Sequence, residues 1–253
     1  MDETMKILQM LEDGKINADE AARLLEAVYI HKPRARRIGV DSEIVGNVMG
    51  GISSAIECIP MIIRHGHRLG SKSGKRTLSV KKRPAIRLNL VGGDLNLIPS
   101  EDDSVRGNLS SGIVTTKDAR HELLIKCLGG DASLHVPRIQ TLQASVVGGD
   151  IAGDVDVGDL NVKSLDGDIR LSLKTLKDAT VKTKSGDISL SIPGDANAQV
   201  DAYTMSGDLE FDPELEIEEQ TDNHVKGKMA EGKGKLIIRS LSGNIHVKSK
   251  DLE

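Results

Sequence analysis

The sequence predicts a mainly β chain: a single-stranded, parallel, right-handed β-solenoid behind a small N-terminal two-helix module. Three observations predict it. Gly-Asp pairs recur at Gly93-Asp94, Gly130-Asp131, Gly149-Asp150, Gly167-Asp168, Gly186-Asp187 and Gly207-Asp208, and Gly243-Asn244 closes the series. With Gly112 and Gly227 in the gaps, nine glycines stand 19, 18, 19, 18, 19, 21, 20 and 16 residues apart, a period near that of repeat architectures. Apolar residues alternate with polar ones on both sides of the corners, as in Val181-Lys182-Thr183-Lys184 and Ile188-Ser189-Leu190-Ser191-Ile192, the period of strands with one buried face.

Further turn residues lie midway between corners, at Gly158-Asp159, Lys177-Asp178 and Gly194-Asp195 among others. Each cycle therefore holds two strands and two corners, and the count of corners predicts about nine coils. An antiparallel β meander or sandwich is the alternative, with each Gly-Asp as a type II′ hairpin turn. The near-constant full cycle favours stacked coils, which need equal lengths, and the usual crossover preference makes them right-handed. Only Tyr29, Tyr203 and Phe211 are aromatic, so the core is aliphatic and thin.

Three regions divide the chain. Residues 1–32 read as a helical hairpin. Met5, Leu8 and Leu11 form one apolar stripe ending at Gly14, and Asn17 caps a second helix with Glu20 as its capping-box partner. Residues 33–83 read as a basic amphipathic connector and solenoid cap. Ile44, Val48, Ile52, Ile56 and Ile59 share one helical face, although Gly46, Gly50, Gly51 and Pro60 weaken the helix. No acidic residue occurs between Arg64 and Arg83. Residues 84–253 are the repeat.

The motifs resemble known families. Lys184-Ser185-Gly186-Asp187-Ile188, Met205-Ser206-Gly207-Asp208-Leu209 and Leu241-Ser242-Gly243-Asn244-Ile245 are similar to the repeated Ser-Gly-Asp-Ile corners of bacterial putative-adhesin domains of unknown function. Met5 to Ile16, followed by Ala18 to Leu25, resembles the SHOCT-like hairpin that precedes this repeat in some bacterial proteins. The resemblance implies a β-helix, a setting in Gram-positive envelope-stress responses or adhesin-like recognition, and no known catalysis.

The residues point to a binding or assembly scaffold rather than an enzyme. One carboxylate per coil cannot supply the 6–8 oxygens that calcium takes, so each corner reads as structural: Gly supplies the unusual φ and Asp accepts a backbone N–H. Asp150, Asp154, Asp156 and Asp159 form the densest acidic cluster, which makes a polysaccharide-active β-helix enzyme the rival reading. The seven histidines and two cysteines show no zinc spacing. No catalytic residue, cofactor, metal site or small-molecule substrate is expected. Expected partners are a protein or a second copy. Ile52, Ile56, Arg64, Arg68, Lys81, Lys82 and Arg83 could also contact an anionic membrane surface, making a peripheral membrane protein the third reading. Nucleic acid is not expected, because the basic run lacks aromatic stacking residues. Without the n-region and h-region of a signal peptide at Met1, the expected location is cytoplasmic, peripheral to the inner membrane face. Two cysteines cannot build a disulfide framework and suit a reducing compartment.

Overall fold

A computed structural model describes Met10, residues 76–110 and residues 113–250. The two-helix module and the segment 44–63 lie outside the described residues, Met10 excepted. Across the described strands the chain forms two large sheets, of nine and ten strands.

Seven windings share one plan: a strand of the ten-stranded sheet B, a Gly-Asp or Gly-Asn corner, then a strand of the nine-stranded sheet A. In chain order they are β2 (Ala85–Val91) with β3 (Leu95–Ser100), β6 (Glu122–Leu128) with β7 (Ala132–Pro137), β8 (Ile139–Val147) with β9 (Ile151–Val155), and β10 (Val157–Asp166) with β11 (Ile169–Leu173). They continue with β12 (Asp178–Ser185) and β13 (Ile188–Pro193), β14 (Ala198–Thr204) and β15 (Leu209–Phe211), and β18 (Gly234–Ser242) and β19 (Ile245–Lys250). Like strands of neighbouring windings pair in parallel.

The stacking brings aliphatic rungs over one another. Leu95, Ile151, Ile169, Ile188 and Ile245 form one continuous inward column on sheet A. Leu88, Ala144, Val162, Val181 and Ile238 form its counterpart on sheet B. All are buried. The core is the layer between the sheets, and no aromatic side chain is among its buried members.

The nine-coil expectation is corrected to seven, and the order of the stack departs from the order of the chain. Along the stack the windings run second, first, third, fourth, fifth, seventh, sixth. The second and sixth windings therefore lie outermost, each 37 or 36 residues from its stacked neighbour rather than 18 or 19. The extra chain in each long interval makes antiparallel strands, not a coil. β4 (Ser104–Leu109) and β5 (Ile113–Asp118) extend sheets A and B beyond the second winding. β16 (Glu216–Thr221) and β17 (His224–Lys228) extend sheet B beyond the sixth. Gly227 thus sits inside β17, opposite Val200 and Ile217, and is not a corner.

The first strand also corrects a boundary. Residues at the end of the expected connector form β1 (Arg76–Lys81), which pairs antiparallel with β4 at the edge of sheet A. The exposed stack ends are thus covered largely by strands of the same chain, the solution expected for unpaired edges.

The corners require glycine. Gly167 has φ +131°, and a Cβ there would lie 2.2 Å from the carbonyl oxygen of Gly149 one winding away. Gly167→Ala is expected to lower unfolding stability by about 2–4 kcal/mol through strain and backbone displacement. Gly194→Ala, whose Cβ would meet its first neighbour at 3.5 Å, should change it by less than about 0.5 kcal/mol. Urea denaturation of both variants checks this contrast.

Candidate functional site

The corner acids are brought together in one column, and every side chain in its interior has the same task. Asp208 N–H donates to Asn244 Oδ1 at 2.9 Å, and Asn244 N–H donates to Asp187 Oδ1 at 2.7 Å. Asp187 donates to Asp168 at 2.9 Å, Asp168 to Asp150 at 2.8 Å, Asp150 to Asp94 at 2.9 Å, and Asp94 to Asp131 at 3.1 Å. Asp131 N–H ends the ladder on Ser110 Oγ at 2.5 Å. The expected backbone acceptor role is therefore met across windings, not within each turn. Arg170 adds a clamp, 3.3 Å from Asp150 Oδ2 and 2.5 Å from Asp168 Oδ2. Carboxylates engaged in this way form a stacking device rather than a cation ladder.

Sequence reasoning missed a second device at the same corners. Three residues before a corner glycine, the inward position carries a small donor in several windings. Thr183 Oγ1 donates to Ser185 O at 3.1 Å and Thr204 Oγ1 to Gly243 O at 2.8 Å. Cys127 Sγ lies 3.5 Å from Gly129 O and 3.7 Å from Gly130 O. Burial, reinforced by the charge of Asp131, pushes this thiol up to about 11, which makes it a poor nucleophile. The readable signal was a hydroxyl or thiol at that fixed offset in Thr183, Thr204 and Cys127; Ser164 and Ser240 share the offset, but their buried Oγ atoms make no hydrogen bond.

The acidic cluster of the sequence is dispersed. Asp150 belongs to the corner column. Asp156 accepts from Thr175 Oγ1 at 3.1 Å and faces Arg138 at 3.7 Å, while Asp159 faces Lys177 at 3.7 Å. Asp154 alone opens into a groove on the outer face of sheet A. That groove exists because β3 and β9 part company: their pairing ends at Leu97 and Gly153, while β3 continues beside β7 and β9 beside β11. A Cβ at Gly153 would stand 1.9 Å from Leu97 O. The resulting groove is ≈ 400 Å³, and Asn96, Ile98, Asp154, Arg170, Ser172 and Ser191 contribute to its lining.

A second groove, ≈ 530 Å³, gathers Lys81, Lys82, Arg83 and Arg138. Two of its expected membrane contacts are already paired. Arg83 makes a bidentate bridge to Asp118 at 2.6 and 2.8 Å, and Lys82 lies 3.9 Å from Asp103. Hydrogen bonding from Arg83 holds the Asp118 carboxyl below its ordinary value. Ile52, Ile56, Arg64 and Arg68 lie outside the described residues.

Two polar clusters were not anticipated. Arg239 binds Asp201 through both its Oδ2 and its carbonyl, and His224 Nε2 lies 2.9 Å from Asp201 Oδ1. This trio fastens β17 to the out-of-order sixth winding. Partial burial works to raise the Asp201 carboxyl, but hydrogen bonds from Arg239 and His224 overcome it and hold it low. At the far edge of sheet A, His246 stands between Glu210 (Nδ1 at 3.4 Å) and Asp212 (Nε2 at 3.5 Å). These three side chains are the group among the described residues whose donor spacing could hold a metal ion, with the two exposed acids set on opposite ring nitrogens.

With this geometry established, likeness to known proteins can be placed. The Toastrack DUF4097 family matches residues 66–248. The chain belongs to that family. A SHOCT-like domain matches residues 2–32, ahead of the Toastrack domain. Among solved structures, the Toastrack domain is similar to a putative cell adhesion protein from Clostridium sporogenes ATCC 15579, with 14% identity, a TM-score of 0.55, and coverage of 71% of this chain and 100% of that one. A putative adhesin from Bacteroides fragilis NCTC 9343 matches with 13% identity and a TM-score of 0.32 over 72% of this chain and 98% of its own. The first likeness is one of fold. No curated protein matches the sequence.

Two outcomes follow from the polar devices. Asp187→Ala removes the acceptor of the Asn244 N–H at an exposed corner and should cost about 0.5–1.5 kcal/mol, whereas Asp187→Asn keeps an acceptor, as Asn244 itself does, and should cost under about 0.5 kcal/mol. Denaturant titration separates the two. For Asp201 the folded carboxyl lies below its unfolded value, so its stabilisation is fully present above the unfolded pKa of about 3.9 and fades as pH falls through the folded one. Arg239→Gln should flatten that acid-side loss in a series of thermal melts.

Proposed function

We propose that this chain is a non-enzymatic binding and assembly scaffold that works in a bacterial cell-envelope stress response. The supporting observation is where the acids go. Hydrolysis of a glycosidic bond uses two carboxyl groups flanking the scissile bond. The sheet A groove offers Asp154 as its one lining carboxylate, and nearby Asp150 and Asp168 are engaged by the corner ladder and Arg170. What remains is a rigid face of serines, amides and isolated charges, suited to recognition by hydrogen bonding. The order of a SHOCT-like hairpin before a Toastrack domain supports a division of labour, with the hairpin docking a protein partner and the sheet A face presenting the recognition surface. The pairing of Lys82 and Arg83 with acids of the same chain weighs against membrane attachment through those residues. No helix among the described residues is long and apolar enough to cross a membrane.

The test uses the full chain. Retention of purified envelope components from the native host on the immobilised protein is expected to fall at least about five-fold in Asp154→Lys combined with Ser191→Lys, which reverse or fill the groove at one exposed and one half-buried position. Polyuronate substrates should release no reducing ends. Turnover that disappears in Asp154→Asn would overturn the scaffold reading in favour of an enzyme.

A further inference from the structure

The two ends of the stack are not finished alike. Beyond the second winding, sheet A gains β4 and β1 and sheet B gains β5. Beyond the sixth, sheet B gains β17 and β16, but among the described residues sheet A gains nothing. Sheet A therefore stops at β15, a strand of three residues whose outer edge pairs with no described strand. The corner beside it is open as well. Every other acid or amide of the corner column accepts an N–H from a neighbouring corner. Among the described residues nothing donates to the Asp208 carboxylate, and Met205, Ser206, Gly207 and Asp208 are all exposed. Apart from Met10, the exposed large apolar side chains among the described residues gather at this end too: Met205 at 42% and Ile217 at 53%. Ile217 lies in the edge strand β16, all six residues of which are exposed. Charged side chains are a usual protection of a free edge; an exposed isoleucine between Glu216 and Glu218 is not.

Charge says what fits there. From Asp208 to Asp222 the chain carries eight acids and no base. At the opposite end, Arg76 to Arg83 carries four bases and no acid. The acids Asp102, Asp103 and Asp118 of that end are paired with its own Arg106, Lys82 and Arg83. Lys81 of β1, Lys117 of β5 and the following Arg120 are exposed and have no acid partner among the described residues, with Glu101 the one acid left over. Like ends of two copies repel, whereas the acidic end of one attracts the basic end of another. Strand direction agrees. β1 is antiparallel to β4 and β4 to β7, so β1 runs the same way as the winding strands of sheet A, β15 included. Both strands turn partly buried apolar residues to the core, Leu78 and Val80 in β1 and Leu209 and Phe211 in β15, and expose Lys81 and Glu210 at alternate positions. A second copy continued along the stack axis thus sets β1 beside β15 as one more parallel rung, with β5 beside β16.

We propose that copies of this chain associate head to tail, the acidic β15–β16 end of one receiving the basic β1–β5 end of the next. Such a contact joins two different surfaces and leaves one of each free, so it repeats into an open filament. This mode of assembly deepens the scaffold reading and rests on it for its purpose, but it does not involve the sheet A groove.

Sedimentation velocity of the full chain tests this. The parent should grow past a dimer as its concentration rises, and its association constant should fall at least about five-fold between roughly 0.05 M and 0.5 M salt. Glu210→Lys with Ile217→Lys disables the acidic end, and Lys81→Glu with Lys117→Glu the basic end. All four side chains are exposed, so each variant should keep the parent's melting curve. Each variant alone should be monomeric. Mixed in equal amounts they should form dimers, because the intact acidic end of one meets the intact basic end of the other. A parent chain that stays monomeric, or a mixture that stays monomeric while both melting curves are unchanged, would overturn the proposal. So would association that persists in either variant alone, which would join like ends or another surface. Retention of envelope components is read on the same variants and should match the parent. Failed assembly with intact retention defeats the head-to-tail contact alone, whereas polyuronate turnover defeats the scaffold reading.

Discussion

The structure depends on one hydrogen bond repeated at each stacked corner: a carboxylate or amide oxygen accepting the backbone N–H of the corner one winding along. Parallel strands already hydrogen-bond across windings, but their slanted ladder leaves the corner amides aimed at their neighbours without a partner. An Asp or Asn immediately after the corner glycine supplies the missing acceptor. The glycine is bound to the same arrangement, because its Cα faces the neighbouring carbonyl at a separation no side chain tolerates. Gly and Asp are thus one device, in which the first residue permits close approach and the second makes use of it. The thiol and hydroxyls of Cys127, Thr183 and Thr204 serve nearby carbonyls from the core side, so the corner is bonded from both faces.

The same device explains why the stack can be wound out of order. A corner recognises a corner, not its position in the chain, so the first and second windings can exchange places provided that enough chain links them. The intervals of 37 and 36 residues provide it, and the surplus becomes the antiparallel strands that cover the outermost windings. Each cover is fastened by a polar contact: Asp118 of β5 on Arg83 at one end, and His224 of β17 on Asp201, which Arg239 of the seventh winding also holds, at the other. The ladder shows the exchange at its own level, running from Asp187 to Asn244 and only then back to Asp208.

These points mark what the sequence made legible. The alternation around Val181, Ile188 and Leu190 gave strands, their inward faces and the corner positions, because period two and the demand for glycine are local properties. Stack order is not local. Gly112 and Gly227 happened to divide two long intervals near the running period, so composition alone suggested coils where one of them, Gly227, lies within an antiparallel strand. The acids of residues 150–159 were close in sequence but fell on different faces, since a strand sends successive side chains to opposite sides and a corner turns the next one away. The Asp201–Arg239–His224 trio joins residues 15 to 38 apart through an antiparallel return, and no spacing rule would have paired them.

Saturation of the corners also directs attention to where recognition can occur. A column whose carboxylates each accept a backbone amide offers a ligand little without losing a stacking bond, so the edge carrying the most regular motif is the least suited to binding. The outer face of sheet B is cationic, and its apolar residues Val91, Val147 and Leu165 in the first, third and fourth windings are buried. The outer face of sheet A differs from both. There the parting of β3 and β9 at Gly153 interrupts an otherwise continuous ladder and leaves polar side chains around a depression. In a fold built on repetition, a place where two stacked windings stop pairing is where specificity can be written. Glycine at position 153 allows the last close pairing before the strands part, because a side chain there would collide with the Leu97 carbonyl and force the two strands to rearrange.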